Sequence, residues 1–538
     1  MSELTQLNTI ENKTLRGSKS LTEEVLRPTT LKRLTHNGVL LSKYKPKGFQ
    51  ILFRGKPIKL SPEQEEMAVA WAKKQETPYV GDPVFVKNFL GDFGKALNIS
   101  SNVTVSDFDF TEIIQWVERE RTERESMSKE DKKHLALSRK EFRQANKEKY
   151  GYAIVDGQRV EVGNYMVEPA CIFMGRGKHP LRGKWKPAVK QEEITLNLSP
   201  GAPVPEGRWK EVVWQPDSMW IARWNDPLRG KEKYVWLSDT APFIQKREED
   251  KFNNAERLKS EIGKIRSHIQ KNLTSDNLKR RRLATVCYLI DTLKIRVGDE
   301  KDKDEADTFG ATTLRPEHIT FLNDGNVQLD FLGKDSVPFK RAFKPPREVL
   351  NNLKDFIQIC KLDSSPNKSV FRGIRGDLVS TFLQEVIEGA SARVFRTYHA
   401  TETVRKFLSD VKVTVSDPEW KKKEALTMAN LQVAALLNHK RTLPKNFQKS
   451  LAKREAHLKE MEAKEKKTEK QKEAIENLRS KIKLMKETKE CNLGTSLRNY
   501  IDPRAVHQWC QKVGYNWCRY YPKTLQRKYG WIESSGGK

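Results

Sequence analysis

Between Asn446 and Glu490 the apolar residues fall on two short stripes separated by a wholly polar run, and that pattern permits few folds. Leu451, Leu458 and Met461 make the first stripe, and Ile475, Leu478, Ile482 and Met485 the second. Lys464 to Glu473 between them carries no apolar side chain. Neither stripe can be buried alone, so the spacing predicts two short helices folding back as an antiparallel coiled-coil hairpin. With 14 Lys or Arg against 9 Glu, the segment stands at +5. It reads as a protruding arm whose charge can ride over a phosphate backbone or serve a solvated strut.

That local excess repeats in the whole. The 538 residues hold 100 Lys and Arg against 71 Asp and Glu, a formal +29, and a balance so basic calls for a polyanionic partner. At about 150 residues per domain the length predicts three or four domains. Twelve Trp and long patterned stretches exclude wholesale disorder. The longest nearly apolar run, Leu283 to Ile290, is far below the roughly 18 residues of a membrane-spanning helix, so the chain reads as soluble with no membrane partner. The first residues mix Glu11, Glu23 and Glu24 with Lys and Arg and resemble neither a signal peptide nor a transit peptide. Six scattered cysteines without a CxxC pair, and no His at zinc-ligand spacing, predict a reducing compartment and no structural metal.

Along the chain, residues 1–35 read as a tail. Phe49 to Phe53, Tyr152 to Val155 and Val160 to Val162 read as short strands, and Thr111 to Gln144 as one long, charged, solvated helix. Between Cys171 and Lys190 the cations Arg176, Lys178, Arg182, Lys184 and Lys186 sit among glycines and prolines, a loop composition that lets backbone approach an anion. Trp209, Trp214, Trp220, Trp224 and Trp236 are spaced as an antiparallel sheet would place core residues. From about Ala241 the pattern turns helical: Leu283, Val286, Cys287, Ile290 and Leu293 predict a helix closing near Gly298, with Arg296 in its last turn. Val327 to Phe331 and Val337 to Phe343 predict a hairpin with Lys334 at its tip. Tyr500 precedes Asp502-Pro503, an N-cap followed by Pro at the first helical position, so the phenol falls near a helix's positive end.

The chemistry is narrowed mainly by exclusion. No GxxxxGK[ST], GxGxxG after a strand, HExxH or GxSxG occurs, which argues against nucleotide hydrolysis and zinc hydrolysis. The acidic cluster Asp299 to Asp307 is interrupted by Lys301 and Lys303 and reads as a solvated loop rather than a two-metal centre. What remains is a basic chain with Arg, Lys, His and Tyr at the ends of well-formed elements, a set suited to metal-free phosphoryl transfer. Spacing alone does not choose among them.

Five motifs do. Leu293-Lys294-Ile295-Arg296-Val297-Gly298, Phe331-Leu332-Gly333-Lys334-Asp335-Ser336, Val394-Phe395-Arg396-Thr397-Tyr398, Asn438-His439-Lys440-Arg441 and Leu493-Gly494-Thr495-Ser496-Leu497-Arg498-Asn499-Tyr500-Ile501-Asp502-Pro503-Arg504 resemble, in the same order, those of the eukaryotic type IB DNA topoisomerases. His36-Asn37-Gly38-Val39, Gly175-Arg176-Gly177-Lys178-His179-Pro180 and Leu314-Arg315-Pro316-Glu317-His318 extend the likeness from about residue 36 to the C-terminus. His399 and Lys440 stand where the family usually has Asn and Gln, and Ala311-Thr312-Thr313 replaces a common Cys-Cys-Ser.

The resemblance implies an α+β architecture. It consists of a bilobed DNA clamp with a mixed α/β cap over 36–240, a mostly helical catalytic region of the tyrosine recombinase and topoisomerase IB type over 241–445, the coiled-coil linker over 446–490, and a small helical C-terminal domain over 491–538. It further implies Tyr500 as nucleophile, Arg296, Arg396 and His439 on the non-bridging phosphate oxygens, and Lys334 as general acid. Arg176, Lys178, His179, Asp335 and Asn499 would lie at the DNA, with Asp335 and Asn499 near the place of camptothecin-type inhibitors. The implied enzyme is a monomer on supercoiled duplex DNA, needs no cofactor, metal or ATP, and works in the nucleus. Two other readings fit parts of the sequence: a tyrosine recombinase, which would need a tetramer and a target site, and a basic architectural protein that binds DNA without nicking it.

Overall fold

The computed structural model describes residues 30–99, 103–175, 177–298, 308–362, 369–444 and 446–535. The tail, the acidic cluster Asp299 to Asp307, Arg176 and the side chain of Asp335 therefore lie outside the described residues. The described chain forms two compact units, residues 30–244 and 245–535. The architecture is mixed α and β with several small sheets. Among the described residues no helix is long and apolar enough to cross a membrane.

In the first unit, strands Leu34–His36, Tyr152–Val155 and Gln158–Glu161 make one three-stranded sheet. Gln50–Phe53, Lys56–Lys59 and Phe108–Asp109 make another. The four-stranded sheet orders Glu211–Val213, Thr195–Asn197, Trp220–Asn225 and Glu232–Trp236. Its first pair runs parallel, so the expectation of a purely antiparallel tryptophan sheet is corrected. Trp220 and Trp224 are buried as core residues, whereas Trp236 is 49% exposed.

The charged stretch also differs from expectation. Two helices replace one, Thr111–Ser126 and Lys129–Tyr150. Ser128 sits in extended backbone and its hydroxyl accepts from the Asp131 amide at 3.0 Å, so a side-chain cap satisfies an amide that would otherwise lack a partner and starts the second helix.

The basic loop after Cys171 carries a short strand pair, Cys171–Ile172 with Trp185–Lys186. Three of its cations are engaged inside the unit rather than offered to an anion. Arg182 pairs with Asp82, Lys184 with Asp92 at 2.7 Å, and the buried Lys186 with Asp226 at 2.9 Å and with Glu168. Alternating cations and glycines suggested a phosphate loop, but the carboxylates that claim these cations come from distant positions that loop composition does not reveal. Lys178 is exposed. His179 is buried, edge-on to Phe173, with the Leu181 amide donating to its Nδ1 at 3.1 Å.

In the second unit, Leu278–Leu293 forms a helix whose Leu283, Val286, Cys287, Ile290 and Leu293 are all buried. Asn277 caps its start, accepting from the Arg280 amide. The helix stops earlier than its pattern suggests, because Lys294 adopts a left-handed φ of 57°. Arg296 therefore lies beyond the helix, not in its last turn. The hairpin forms as expected: Val327–Gly333 pairs with Val337–Phe343 down to Gly333 opposite Val337, and Lys334–Ser336 makes the turn. Helices Ala392–Asp410 and Glu419–Leu436 pack a second core with the C-terminal helices, where Val404, Leu408, Val433, Ile501, Trp509 and Tyr529 meet.

The predicted coiled-coil hairpin is two helices, Phe447–Glu462 and Glu469–Thr488. The second begins within the polar run, since Thr468 and Gln471 form a reciprocal capping box. That helix is no free strut. Ile475 and Ile482 are buried, and Ser480 and Lys483 bond Glu424 on the Glu419–Leu436 helix at 2.6 and 2.8 Å.

Candidate active site

Four of the five sequence-selected residues line one pocket of the second unit: Arg296, Lys334, Arg396 and His439, together with Lys294 and Thr495. Tyr500 adjoins it through the two most buried members. The Arg396 guanidinium carbon lies 4.9 Å from the centre of the phenol ring, and the His439 and Tyr500 rings are 5.3 Å apart.

Each side chain arrives by a local feature of the backbone. Past the left-handed Lys294, the Arg296 loop is clamped by the segment that follows Phe309. The Ala311 amide donates to the Arg296 carbonyl at 2.9 Å, the Thr312 amide to that of Val297 at 2.7 Å, and the Thr312 hydroxyl to that of Gly298 at 2.9 Å. This crossing requires glycine. A Cβ on Gly310 would stand 2.5 Å from the Gly298 Cα, and Gly298 itself has φ +91°. The Phe309 amide continues the chain of contacts to the Leu332 carbonyl at 2.7 Å, tying the arginine loop to the hairpin that carries exposed Lys334.

His439 follows helix Glu419–Leu436, which ends with Asn438 in a left-handed φ of 55°. The His439 amide reaches back to the Ala434 carbonyl at 2.8 Å and that of Asn438 to Ala435 at 3.2 Å, a Schellman closure that fixes where the imidazole starts. The Asn438 side chain donates to the Pro338 carbonyl at 3.0 Å, joining this loop too to the hairpin.

Arg396 is 3% exposed on the first turns of helix Ala392–Asp410. Its guanidinium donates to the carbonyls of Lys294 and Leu437, each at a helix C-terminus, where exposed carbonyls carry partial negative charge. Nε is buried without a partner. The site thus holds a dehydrated cation against dipoles rather than a carboxylate, with one donor unused.

Tyr500 closes helix Leu493–Asn499 and is 7% exposed. Thr401, on the Arg396 helix, accepts from the Asp502 amide at 3.1 Å and pins the turn beside the arginine. Asp502 then caps helix Pro503–Lys512 through the Arg504 amide at 2.9 Å. Asn499 is half-buried and donates back to the Thr495 carbonyl at 3.1 Å.

The electrostatics follow from this packing. Burial raises the Tyr500 pKa, but the charges of Arg396 and Arg296, a hydrogen bond to Arg396 and the charge of Arg393 outweigh it, so the phenol is more acidic than an ordinary tyrosine. Burial first, then the charges of Arg396 and Arg296, lower His439 to about 3, leaving a neutral imidazole at physiological pH. Chemically, the site offers an acidified phenol, fixed cations and a neutral imidazole around a space open to a lysine. Among the described residues no cluster of His, Cys, Asp or Glu is suited to hold a metal.

Comparison with known proteins decides the family. Residues 29–237 match the eukaryotic DNA topoisomerase I DNA binding fragment, residues 240–474 its catalytic core, and residues 457–536 the C-terminal topoisomerase domain. Human DNA topoisomerase 1 is 33% identical over 547 residues, covering 93% of this chain and 70% of the relative. The chain belongs to the eukaryotic DNA topoisomerase I family. DNA topoisomerase 1 beta of Arabidopsis thaliana and DNA topoisomerase 1 of Drosophila melanogaster are each 33% identical over 93% of this chain. The chain spans 58% and 53% of those two relatives.

Within this family setting, several residues that shape the pocket escaped the sequence reading. Lys294 acts through a carbonyl, which no side-chain pattern signals. Ala311 and Thr312, noted only as a departure from the family, clamp Arg296. Asn438 had a readable signal, an Asn at a helix end. Ser496 had none.

Proposed function

We propose that this chain relaxes supercoiled duplex DNA by transient single-strand nicking and religation, without ATP or an obligatory metal. The observation that carries this reading is the acidified Tyr500 phenol buried against Arg396 and beside neutral His439. In the reaction, the Tyr500 oxygen bonds to the scissile phosphorus and its proton passes to water. The bond from phosphorus to the 5′-oxygen breaks, and Lys334 gives a proton to that oxygen. A 3′-phosphotyrosine and a free 5′-hydroxyl result, the nicked strand rotates, and the 5′-hydroxyl attacks back. The phosphotyrosine bond conserves the energy of the phosphodiester. Arg296 and Arg396 hold the non-bridging oxygens, and His439 donates to one of them. Lysine suits the acid because it can release a proton where arginine cannot.

Arg176, Lys178, His179, Asp335 and Asn499 belong to the DNA contacts in this reading. In this reading the protein acts as a monomer and in the nucleus, and camptothecin-type drugs trap its nicks. The coiled-coil hairpin immediately before the tyrosine favours relaxation over recombination. The test incubates wild type and Tyr500→Phe with supercoiled plasmid in EDTA without ATP. Stepwise relaxation by wild type alone is expected. A magnesium requirement, or relaxation by the phenylalanine variant, would overturn the reading.

A further inference from the structure

The two ring nitrogens of His439 face partners of different kinds. Nε2 lies 3.4 Å from Nη2 of Arg396, a group that can only donate. Nδ1 lies 2.8 Å from Oγ of Ser496, a group that can donate or accept. A neutral imidazole has one N–H, so hydrogen-bond complementarity assigns it: Nε2 offers its lone pair to Arg396, and Nδ1–H donates to Ser496. Burial and the neighbouring guanidinium charges keep the ring neutral.

That tautomer cannot perform the proposed reaction. Donation to a non-bridging oxygen in the pocket requires the proton on Nε2. With a phosphate bound, Arg396 Nη2 has an anion to donate to and no longer claims the Nε2 lone pair. The ring can then exchange tautomers: transient opening of the Ser496 contact lets Nδ1 release its proton to solvent while Nε2 takes one up, with no net change in protons. Nδ1 becomes a buried acceptor in need of a donor.

We propose that Ser496 is a positioning residue for His439, its hydroxyl accepting from Nδ1–H in the free protein and donating to Nδ1 once a DNA phosphate is bound. A hydroxyl needs only to rotate about its Cβ–Oγ bond to change roles, which a fixed carboxylate or a methyl group cannot do. Ser496 is 0% exposed, so water does not replace it. Its carbonyl also accepts from the amides of Tyr500 at 2.9 Å and Ile501 at 3.1 Å, so one residue sets both the nucleophile's backbone and the donor's proton. The inference rests on the phosphodiester reading of the pocket.

The experiment measures single-turnover formation of the covalent protein–DNA adduct on a nicking-trap duplex for wild type, Ser496→Ala, His439→Ala and the double variant. Ser496→Ala is expected to slow adduct formation by about 10- to 100-fold, as supporting contacts to a reactive ligand do, with DNA affinity unchanged. On the His439→Ala background the same substitution should change nothing further. Multiplying effects, or a Ser496→Ala rate equal to wild type, would overturn the proposal. Should Ser496→Ala fold poorly, 15N spectra of the intact fold decide. His439 should show Nδ1–H in the free protein and Nε2–H in Tyr500→Phe bound to a duplex oligonucleotide, and Nε2–H already in the free protein would refute the switch. A wild type that forms no adduct sinks the parent reading; a wild type that forms adduct and a Ser496→Ala that forms it as fast sink only this one.

Discussion

In residues 30–244, Lys186 is buried against two carboxylates, Asp226 and Glu168. In residues 245–535, Arg396 is buried more deeply, yet its partners are carbonyls at two helix ends. Both arrangements bring a cation out of water, but they leave different residues of field. The lysine's charge is cancelled where it stands. The arginine's charge is only eased by dipoles, and it remains strong enough to acidify Tyr500 and hold His439 neutral. A cation matched to carboxylates stabilises a fold; a cation left short of a counter-charge is prepared for an anion that arrives later.

Removing each cation tests that contrast. Lys186→Met removes the nearest counter-charge from Asp226, which is 2% exposed, leaving it Arg229 at 3.5 Å and leaving Glu168 with Lys233 at 3.3 Å, and should cost the fold about 3 kcal/mol. Urea unfolding followed by tryptophan fluorescence reads the loss, and a shift under 1 kcal/mol would break the comparison. Arg396→Gln should do the reverse. Cleavage should slow by about 10² to 10³, as on losing an oxyanion donor, while the melting temperature holds or rises because an under-compensated charge has gone. A variant destabilised as much as Lys186→Met would show that Arg396 is structural.

The same contrast explains what the sequence could and could not tell. The hairpin holding Lys334, the cap before the Pro503–Lys512 helix and the coiled-coil segment were legible because each depends on neighbours in sequence: alternation, an Asp-Pro start, a polar break. The split of the charged helix at Ser128 carried a capping signal that the dense charge pattern hid. The fates of Arg182, Lys184 and Lys186 were not legible. Their carboxylates, such as Asp82 and Asp92, lie about a hundred positions away, and a paired lysine looks like a free one in sequence. Arg296, Arg396, His439 and Tyr500 were identified only by resemblance, since their convergence depends on left-handed turns at Lys294 and Asn438 and on backbone carbonyls that side-chain patterns do not encode.

A titration sharpens the comparison next. The His439 pKa falls to about 3 through burial and then the charges of Arg396 and Arg296. The unfolded chain takes up this proton near 6.5, but the folded chain does so only near 3. The neutral ring's contribution to stability is thus fully present above pH 6.5 and is lost as pH falls toward 3. NMR should find His439 unprotonated throughout pH 5 to 8 in the wild type. In Arg396→Gln the midpoint should climb toward the ordinary value, because the second cause has been removed. A wild-type midpoint near 6.5 would mean that Arg396 exerts little field on the ring.

The smallest effect should come from an arginine that also sits on carbonyls but in water. Exposed Arg441 donates to the Lys489 and Thr488 carbonyls at 3.1 and 3.3 Å, while its amide meets Glu490 at 2.9 Å, so it caps the end of the second coiled-coil helix. Next to it Lys440 bridges Cys491, and the Asn492 amide donates to the His439 carbonyl at 2.8 Å. The coil is therefore fastened to the backbone that carries the imidazole. Solvent can replace the side-chain bonds, so Arg441→Ala should cost about 0.5–1.5 kcal/mol of local stability. If part of that looseness reaches His439, religation should change by about 2- to 5-fold, the equivalent of up to 1 kcal/mol, with cleavage less affected. Stopped religation assays on preformed adduct measure this. A loss as large as that of Arg396→Gln would show that dehydration is not what separates the two arginines, because the exposed one would then matter equally.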